Sequence, residues 1–193
     1  MLHYNLGAAC YNIASYREAI KSFERAIRLR PDYARANNGL GAAYLELGEY
    51  EEAIKYFGTS SRLEPKLVEA QLNLALANYH LGRLKETAEH LKQVTKLKPD
   101  FAGAYNSLGV AYYSMRRYQE SEVAFSQAFK LAPGYPDPLF NLGMLSLARR
   151  DRGAALKHYK ALQSLDHPLA RRLYESIHQG RLLSLQQSHS STR

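Results

Sequence analysis

The chain has 193 residues, 46% of them apolar and 23% charged, with one cysteine, no tryptophan and fifteen tyrosines. These proportions exclude a collagen-like or largely disordered chain, and a single cysteine excludes an internal disulfide or a Cys-rich zinc module. The net charge is +8, and residues 149–193 hold nine of the basic side chains against three acids, so positive charge collects at the C-terminal end, where an anionic partner could be drawn.

The chain is punctuated at a fixed interval. Pro31, Pro65, Pro99 and Pro133 stand 34 residues apart, and other columns keep the same register: Leu6, Leu40, Leu74, Leu108 and Leu142; Gly7, Gly41, Gly109 and Gly143, with Ala75 in the gap; and Phe23, Phe57, Leu91, Phe125 and Tyr159. Self-similarity at such a period is the signature of a stacked-repeat architecture. The first unit spans 1–33. Residues 6–10, Leu-Gly-Ala-Ala-Cys, superficially suggest a lipoprotein cleavage site, but neither a basic nor an apolar leader region precedes them, so the expectation is a cytoplasmic chain. Cys10 shares the column of Tyr44 and Tyr112 and is read as a core residue rather than a nucleophile.

The second unit, 34–67, shows the pattern most openly. Ala36, Leu40, Ala43, Tyr44 and Leu47 form one stripe at helical spacing, and Ala53, Ile54, Phe57, Ser60 and Leu63 form another, with Gly48 between them. Each unit is therefore predicted as two antiparallel helices joined by a short turn, and the fold is all-α. The closing proline ends the second helix, and Asp32 and Asp100 just beyond it are candidate N-caps for the next unit. A glycine column inside a helix costs roughly 1 kcal/mol per site against alanine, which close approach of the two helices would explain.

The third unit, 68–101, is weaker, with Ala75, Asn78 and Thr87 in key columns; the fourth, 102–135, recovers the pattern. The fifth, 136–166, carries Ser146 and Arg152 and reads as a degenerate terminal unit. After it, Leu169, Leu173 and Ile177 recur every four residues, predicting an amphipathic capping helix over 167–180. The Ser/Gln/His-rich remainder, 181–193, is expected to be disordered. No run approaches the ~18 consecutive apolar residues of a membrane span.

Leu40-Gly41, Tyr44, Ala53, Phe57 and Pro65 resemble, in order and spacing, the tetratricopeptide repeat (TPR), and Leu108-Gly109, Tyr112, Phe125, Ala128 and Pro133 fit nearly as well. The resemblance covers about residues 1–166 in five units. It departs from the family at the first large aromatic, replaced by His3, Asn37 and Gln71 and kept as Tyr105. It implies a right-handed α-solenoid of five helix-turn-helix units plus the capping helix, with the first helix of each unit lining a concave groove. It also implies a non-catalytic scaffold that binds an extended segment of another protein.

In that frame the lining positions carry one formal charge among 25, Glu46, where the chain average would place about six. Tyr4, Asn5, Asn38, Asn73, Tyr79, Asn106, Tyr113, Phe140 and Asn141 are the candidate peptide-binding residues, since Asn offers both a donor and an acceptor to a peptide backbone. Asn5, Asn73 and Asn141 resemble an asparagine ladder of the family, broken here by Gly39 and Ser107. A second candidate surface is the basic cluster Arg149, Arg150, Arg152, Arg171, Arg172 and Arg181, suited to an anionic partner. Protein is favoured over nucleic acid as that partner. A third reading makes the chain the TPR portion of a larger enzyme or of a secretion or assembly factor. The seven histidines show no metal-ligand spacing, no phosphate-cradling loop or nucleophile motif is present, and no cofactor is implied. The expected state is a monomer or a weak homo-oligomer formed by end stacking.

Overall fold

In a computed structural model, residues 1–165 and 167–190 are described, with backbone alone for 180–190. Eleven helices and no strand occur among them. The chain divides into two compact units. The first, Met1–Pro99, contains α1 (Leu2–Asn12), α2 (Tyr16–Leu29), α3 (Ala34–Glu46), α4 (Tyr50–Leu63), α5 (Val68–His80) and α6 (Leu84–Leu97). The second, from Asp100 onward, contains α7 (Ala102–Ser114), α8 (Tyr118–Leu131), α9 (Pro136–Ala148), α10 (Arg152–Ser164) and α11 (Pro168–Ser190). Each odd-numbered helix up to α9 packs on the helix after it, and α2 on α3, α4 on α5 and α8 on α9 continue the stack within each unit.

The turn inside each hairpin has one recurring requirement. Ala14, Gly48, Gly82, Arg116 and Arg150, spaced by 34, all have φ between 58° and 78°. The left-handed residue lets the next N–H reach back to the carbonyl five residues earlier, as Glu49 N donates to Tyr44 O at 2.9 Å and Arg117 N to Tyr112 O at 2.9 Å. This is a Schellman closure of the first helix. Glycine takes that conformation without the Cβ penalty, whereas Ala14, Arg116 and Arg150 bear it.

The junction between hairpins differs from the sequence expectation. Asp32 and Asp100 do not cap helices; the N-cap positions belong to Tyr33 and Phe101, and neither makes a side-chain cap bond. Asp32 lies outside the helix beside Arg30, 3.8 Å away. The turn after proline uses one residue more, which brings Tyr33 into a cluster with Ala26 and Ala36. Burying an aromatic ring contributes about 1.5–3 kcal/mol, more than the ~1 kcal/mol of a typical cap.

Glycine meets phenylalanine across each well-formed hairpin. A Cβ on Gly7 would stand 2.7 Å from the Phe23 ring, and one on Gly41 2.7 Å from Phe57. Gly39 of α3 approaches Phe23 from the other side, where a Cβ would lie 2.6 Å from its Cζ. The gap in the asparagine column at 39 therefore has a steric cause.

At the C-terminal end, Leu173 and Ile177 of α11 bury with Leu139, Ala155 and Leu162. The helix is longer than the expected 167–180 element: its backbone continues to Ser190, through residues expected to be disordered, where Leu182, Leu183, Leu185, Gln186 and Gln187 are good helix formers. Residues 191–193 of the expected tail lie outside the described residues.

Candidate functional site

The first helices of neighbouring hairpins touch within each unit: α1 with α3, α3 with α5, and α7 with α9. Polar side chains bridge them. Asn73 Nδ2 donates to Asn38 Oδ1 at 3.1 Å, and Asn141 Nδ2 donates to Asn106 Oδ1 at 2.9 Å. The two rungs are equivalent, each joining residues 35 apart, so a residue of one column meets the adjacent column of the next helix. Asn106 also donates to the Tyr135 hydroxyl at 3.4 Å. Each Asn–Asn bond uses one amide hydrogen and one carbonyl lone pair of the four hydrogens and four lone pairs that two amides carry.

A third bridge, again 35 residues long, joins the Tyr11 hydroxyl of α1 to Glu46 Oε1 of α3 at 3.1 Å. The Tyr11 pKa is pushed up to about 12, first by burial and then by the hydrogen bond to Glu46 and its negative charge. Because this lies above the ordinary value of 10.0, the folded state holds the phenolic proton more tightly than the unfolded state does. The resulting stabilisation is complete below about pH 10 and is lost as pH rises towards 12. In an ultraviolet titration of phenolate absorbance, Tyr11→Phe should remove a late-ionising component, and Glu46→Gln should move that component to lower pH. An unchanged titration in both variants would contradict the bridge.

The other candidate residues are placed as follows. Asn5 is exposed. Tyr4 packs on Phe23 and Tyr33, with ring centroids 5.8 and 5.0 Å away, so it serves the core of the first hairpin. Tyr79 is 43% exposed, as is Leu76 one turn before it, and together they form an apolar step beside the Asn38–Asn73 rung. Tyr113 is half-buried against Tyr118, 5.8 Å between centroids. Phe140 lies under the Arg172 guanidinium at 5.2 Å, so α11 engages part of its ring.

The described members of the basic cluster lie at two places. Arg149, Arg150 and Arg152 sit at the α9–α10 turn, whereas Arg172 reaches Phe140 near the start of α9, about 13 Å away along the helix axis at 1.5 Å per residue. Arg149 pairs with Glu122 at 2.5 Å and Arg171 with Glu175 at 3.0 Å. Arg181 lies in the part of α11 described by backbone alone.

Histidines are not uniformly superficial. His90 Nδ1 lies 2.9 Å from Gln71 Oε1, and Gln71 Nε2 donates to Ser61 Oγ at 2.7 Å, so polar residues satisfy one another where the repeat pattern has an aromatic. Burial pushes the His90 and His158 pKa values down. Cys10 is half-buried and packs on the cluster of Phe23, Leu40 and Ala43. Among the described residues, no group of three His, Cys, Asp or Glu side chains is placed to hold a metal, and no helix is long and apolar enough to cross a membrane.

The rungs and the Tyr135 contact were not anticipated from sequence, although polar residues 35 apart were the available signal.

Known proteins share this geometry. Tetratricopeptide repeat family models match residues 4–60, 43–82, 79–115 and 102–135, a continuous run. No curated protein matches the chain by sequence. Among solved structures, MamA (residues 41 to the end) from Desulfovibrio magneticus RS-1 is 23% identical, with a TM-score of 0.80 over 86% of this chain and 93% of that one. YrrB, described as a TPR protein with an unusual peptide-binding site, is 20% identical, with a TM-score of 0.77 over 90% of each chain. TTC0263, a thermophilic TPR protein in Thermus thermophilus, is 25% identical, with a TM-score of 0.64 over 91% of this chain and 96% of that one. The 34-residue hairpins, their glycine–phenylalanine contacts and these matches agree: the chain belongs to the tetratricopeptide repeat family.

Proposed function

We propose that the protein is a non-catalytic scaffold that binds an extended, largely uncharged segment of another protein along the first helices of its hairpins. The observation that carries this reading is the pair of equivalent asparagine rungs, Asn38–Asn73 and Asn106–Asn141. Beyond its own bond, each rung leaves three carbonyl lone pairs, with three amide hydrogens on the first and two on the second, where Tyr135 takes one. That is enough to meet the alternating N–H and C=O groups of a peptide backbone. Packed helices stand about 8–10 Å apart and an extended chain advances about 3.3 Å per residue, so the segment would pass roughly three residues per hairpin. In the first unit, Leu76 and Tyr79 supply apolar contact beside the rung. The peptide-binding site named for YrrB supports this use of the fold without identifying the ligand.

Pull-down with mass spectrometry would first identify the segment, and titration of that peptide would then test the site. Asn73→Ala with Asn141→Ala should weaken binding by roughly fivefold to a hundredfold, since the two lost hydrogen bonds are together worth about 1–3 kcal/mol, while the circular dichroism stays helical. Unchanged affinity in the double variant would refute the reading.

A further inference from the structure

The two edges of the first unit carry opposite charge. Its hairpins are antiparallel, so the C-terminal ends of α2, α4 and α6 and the starts of α3 and α5 lie along one edge. There, residues 28–35, 62–69 and 96–99 hold seven basic residues against three acids. The turns inside the hairpins form the opposite edge, where residues 12–18, 46–52 and 80–86 hold three basic residues against six acids. A cation in the last turn of a helix complements its dipole, which accounts for Arg28, Arg62 and Lys96. Arg30, Lys66 and Lys98 are not in that position, since they follow the helix ends. Apolar side chains stand among these cations. Leu63 and Leu97 are 41% and 37% exposed, and Pro65 and Pro99 just after them are exposed too. Leu63 belongs to the middle hairpin, whose α4 packs on both α3 and α5, so its exposure does not come from an end of the stack.

We propose that this edge is a contact surface for an anionic lipid bilayer, with Leu63 and Leu97 entering the headgroup boundary and the flanking cations at the phosphates. Clusters of Lys and Arg are drawn to anionic headgroups, and adjoining apolar side chains add burial at the interface. The long cationic side chains keep their heads at phosphate level while a neighbouring leucine sinks below it. Three observations favour that occupant. First, Arg28, Lys66, Lys96 and Lys98 form no ion pair among the described residues, so their charge is available. Second, Leu63 and Leu97 stand on separate helix ends, each adjoining a cation in sequence, an alternation that suits a sheet of many small headgroups. Third, the acidic edge of a second copy is a poor match, because its Glu46, Glu51 and Glu52 already bond Tyr11, Arg83 and Lys55.

Co-sedimentation of the intact chain should show binding to vesicles of phosphatidylcholine and phosphatidylglycerol in equal parts. Binding to phosphatidylcholine alone should be at least tenfold weaker, and binding to the anionic vesicles should fall as salt screens the charges. Lys96→Glu with Lys98→Glu should weaken it at least tenfold, and the same reversal at Arg171 and Arg172, in the second unit, should weaken it far less. Leu63→Ser with Leu97→Ser keeps every charge and should weaken it about fivefold. All four sites on this edge are exposed, so the helical spectrum should persist in each variant. Equal binding to both vesicles, no binding to either, or an equal loss at Arg171 and Arg172 would overturn the proposal. So would full binding by the leucine variant, or polyglutamate bound as tightly as the vesicles, since either would mark a surface for an acidic partner that uses charge alone.

Discussion

Replacing Gly109 by alanine should destabilise the second unit by about 2 kcal/mol, although alanine is the better helix former by roughly 1 kcal/mol. The new Cβ would stand 2.5 Å from both Cδ1 and Cε1 of Phe125, and that ring is 2% exposed, so it cannot swing aside. Overpacking of this kind costs about 1–3 kcal/mol, and here it falls on a rigid aromatic at the top of that range. The substitution would also press on the hydrogen bond from Ser121 Oγ to the Gly109 carbonyl, 2.8 Å, which ties α8 to α7. The third hairpin points to the remedy: it carries Ala75 where the others have glycine, and Leu91 where they have an aromatic. Phe125→Leu in the Gly109→Ala background should therefore recover most of the loss. The measurement is the thermal midpoint followed by circular dichroism, with a fall of roughly 10 °C for the single variant at this unit size. A midpoint that rises, or a double variant no better than the single one, would contradict the packing argument.

A comparable effect is expected at the other end of the second unit. Leu173 is fully buried and occupies the space over Gly143 that a Cβ there would need. Leu173→Ala should cost about 3 kcal/mol, the middle of the range for a buried leucine whose cavity does not collapse. Amide exchange should accelerate in α9, α10 and α11 while the first unit keeps its protection, because the lost contacts, to Leu139, Ala155, Leu162 and Ile177, all lie in the second. Gly143→Ala, disruptive in the parent, should partly restore the Leu173→Ala variant by filling the hole. A loss below about 1 kcal/mol, or faster exchange spread equally over both units, would show that α11 does not hold the last hairpin closed.

Gly143 also shows the limit of reading the glycine column from sequence. The column predicted close helix approach, and at Gly7, Gly41 and Gly109 the approaching group is the phenylalanine of the same hairpin. At Gly143 it is Leu173, from an element outside the repeat. The asparagine lining has a similar history. Its members were visible, but the bonds that join Asn38 to Asn73 and Asn106 to Asn141, stepping one residue per repeat, were not. The described members of the C-terminal basic cluster fall at two places, the α9–α10 turn and the Phe140 side of α11, about 13 Å apart along α9.

The 34-residue period, the paired helices and most of the residues that bury were determined by the amino-acid sequence alone, whereas Leu6, Leu47 and Leu63 of the same columns and stripes stay exposed. The features so determined depend on local spacing: apolar residues recurring every three or four positions, a residue that accepts positive φ, and a proline that ends a helix. Which side chains meet between hairpins was decided only in the tertiary structure. Contacts between Asn38 and Asn73, between Tyr11 and Glu46, or between Leu173 and the space above Gly143 depend on the offset and rotation of one packed helix against another. That placement is a property of the assembled core, to which many columns contribute at once, and no single stretch of the chain encodes it.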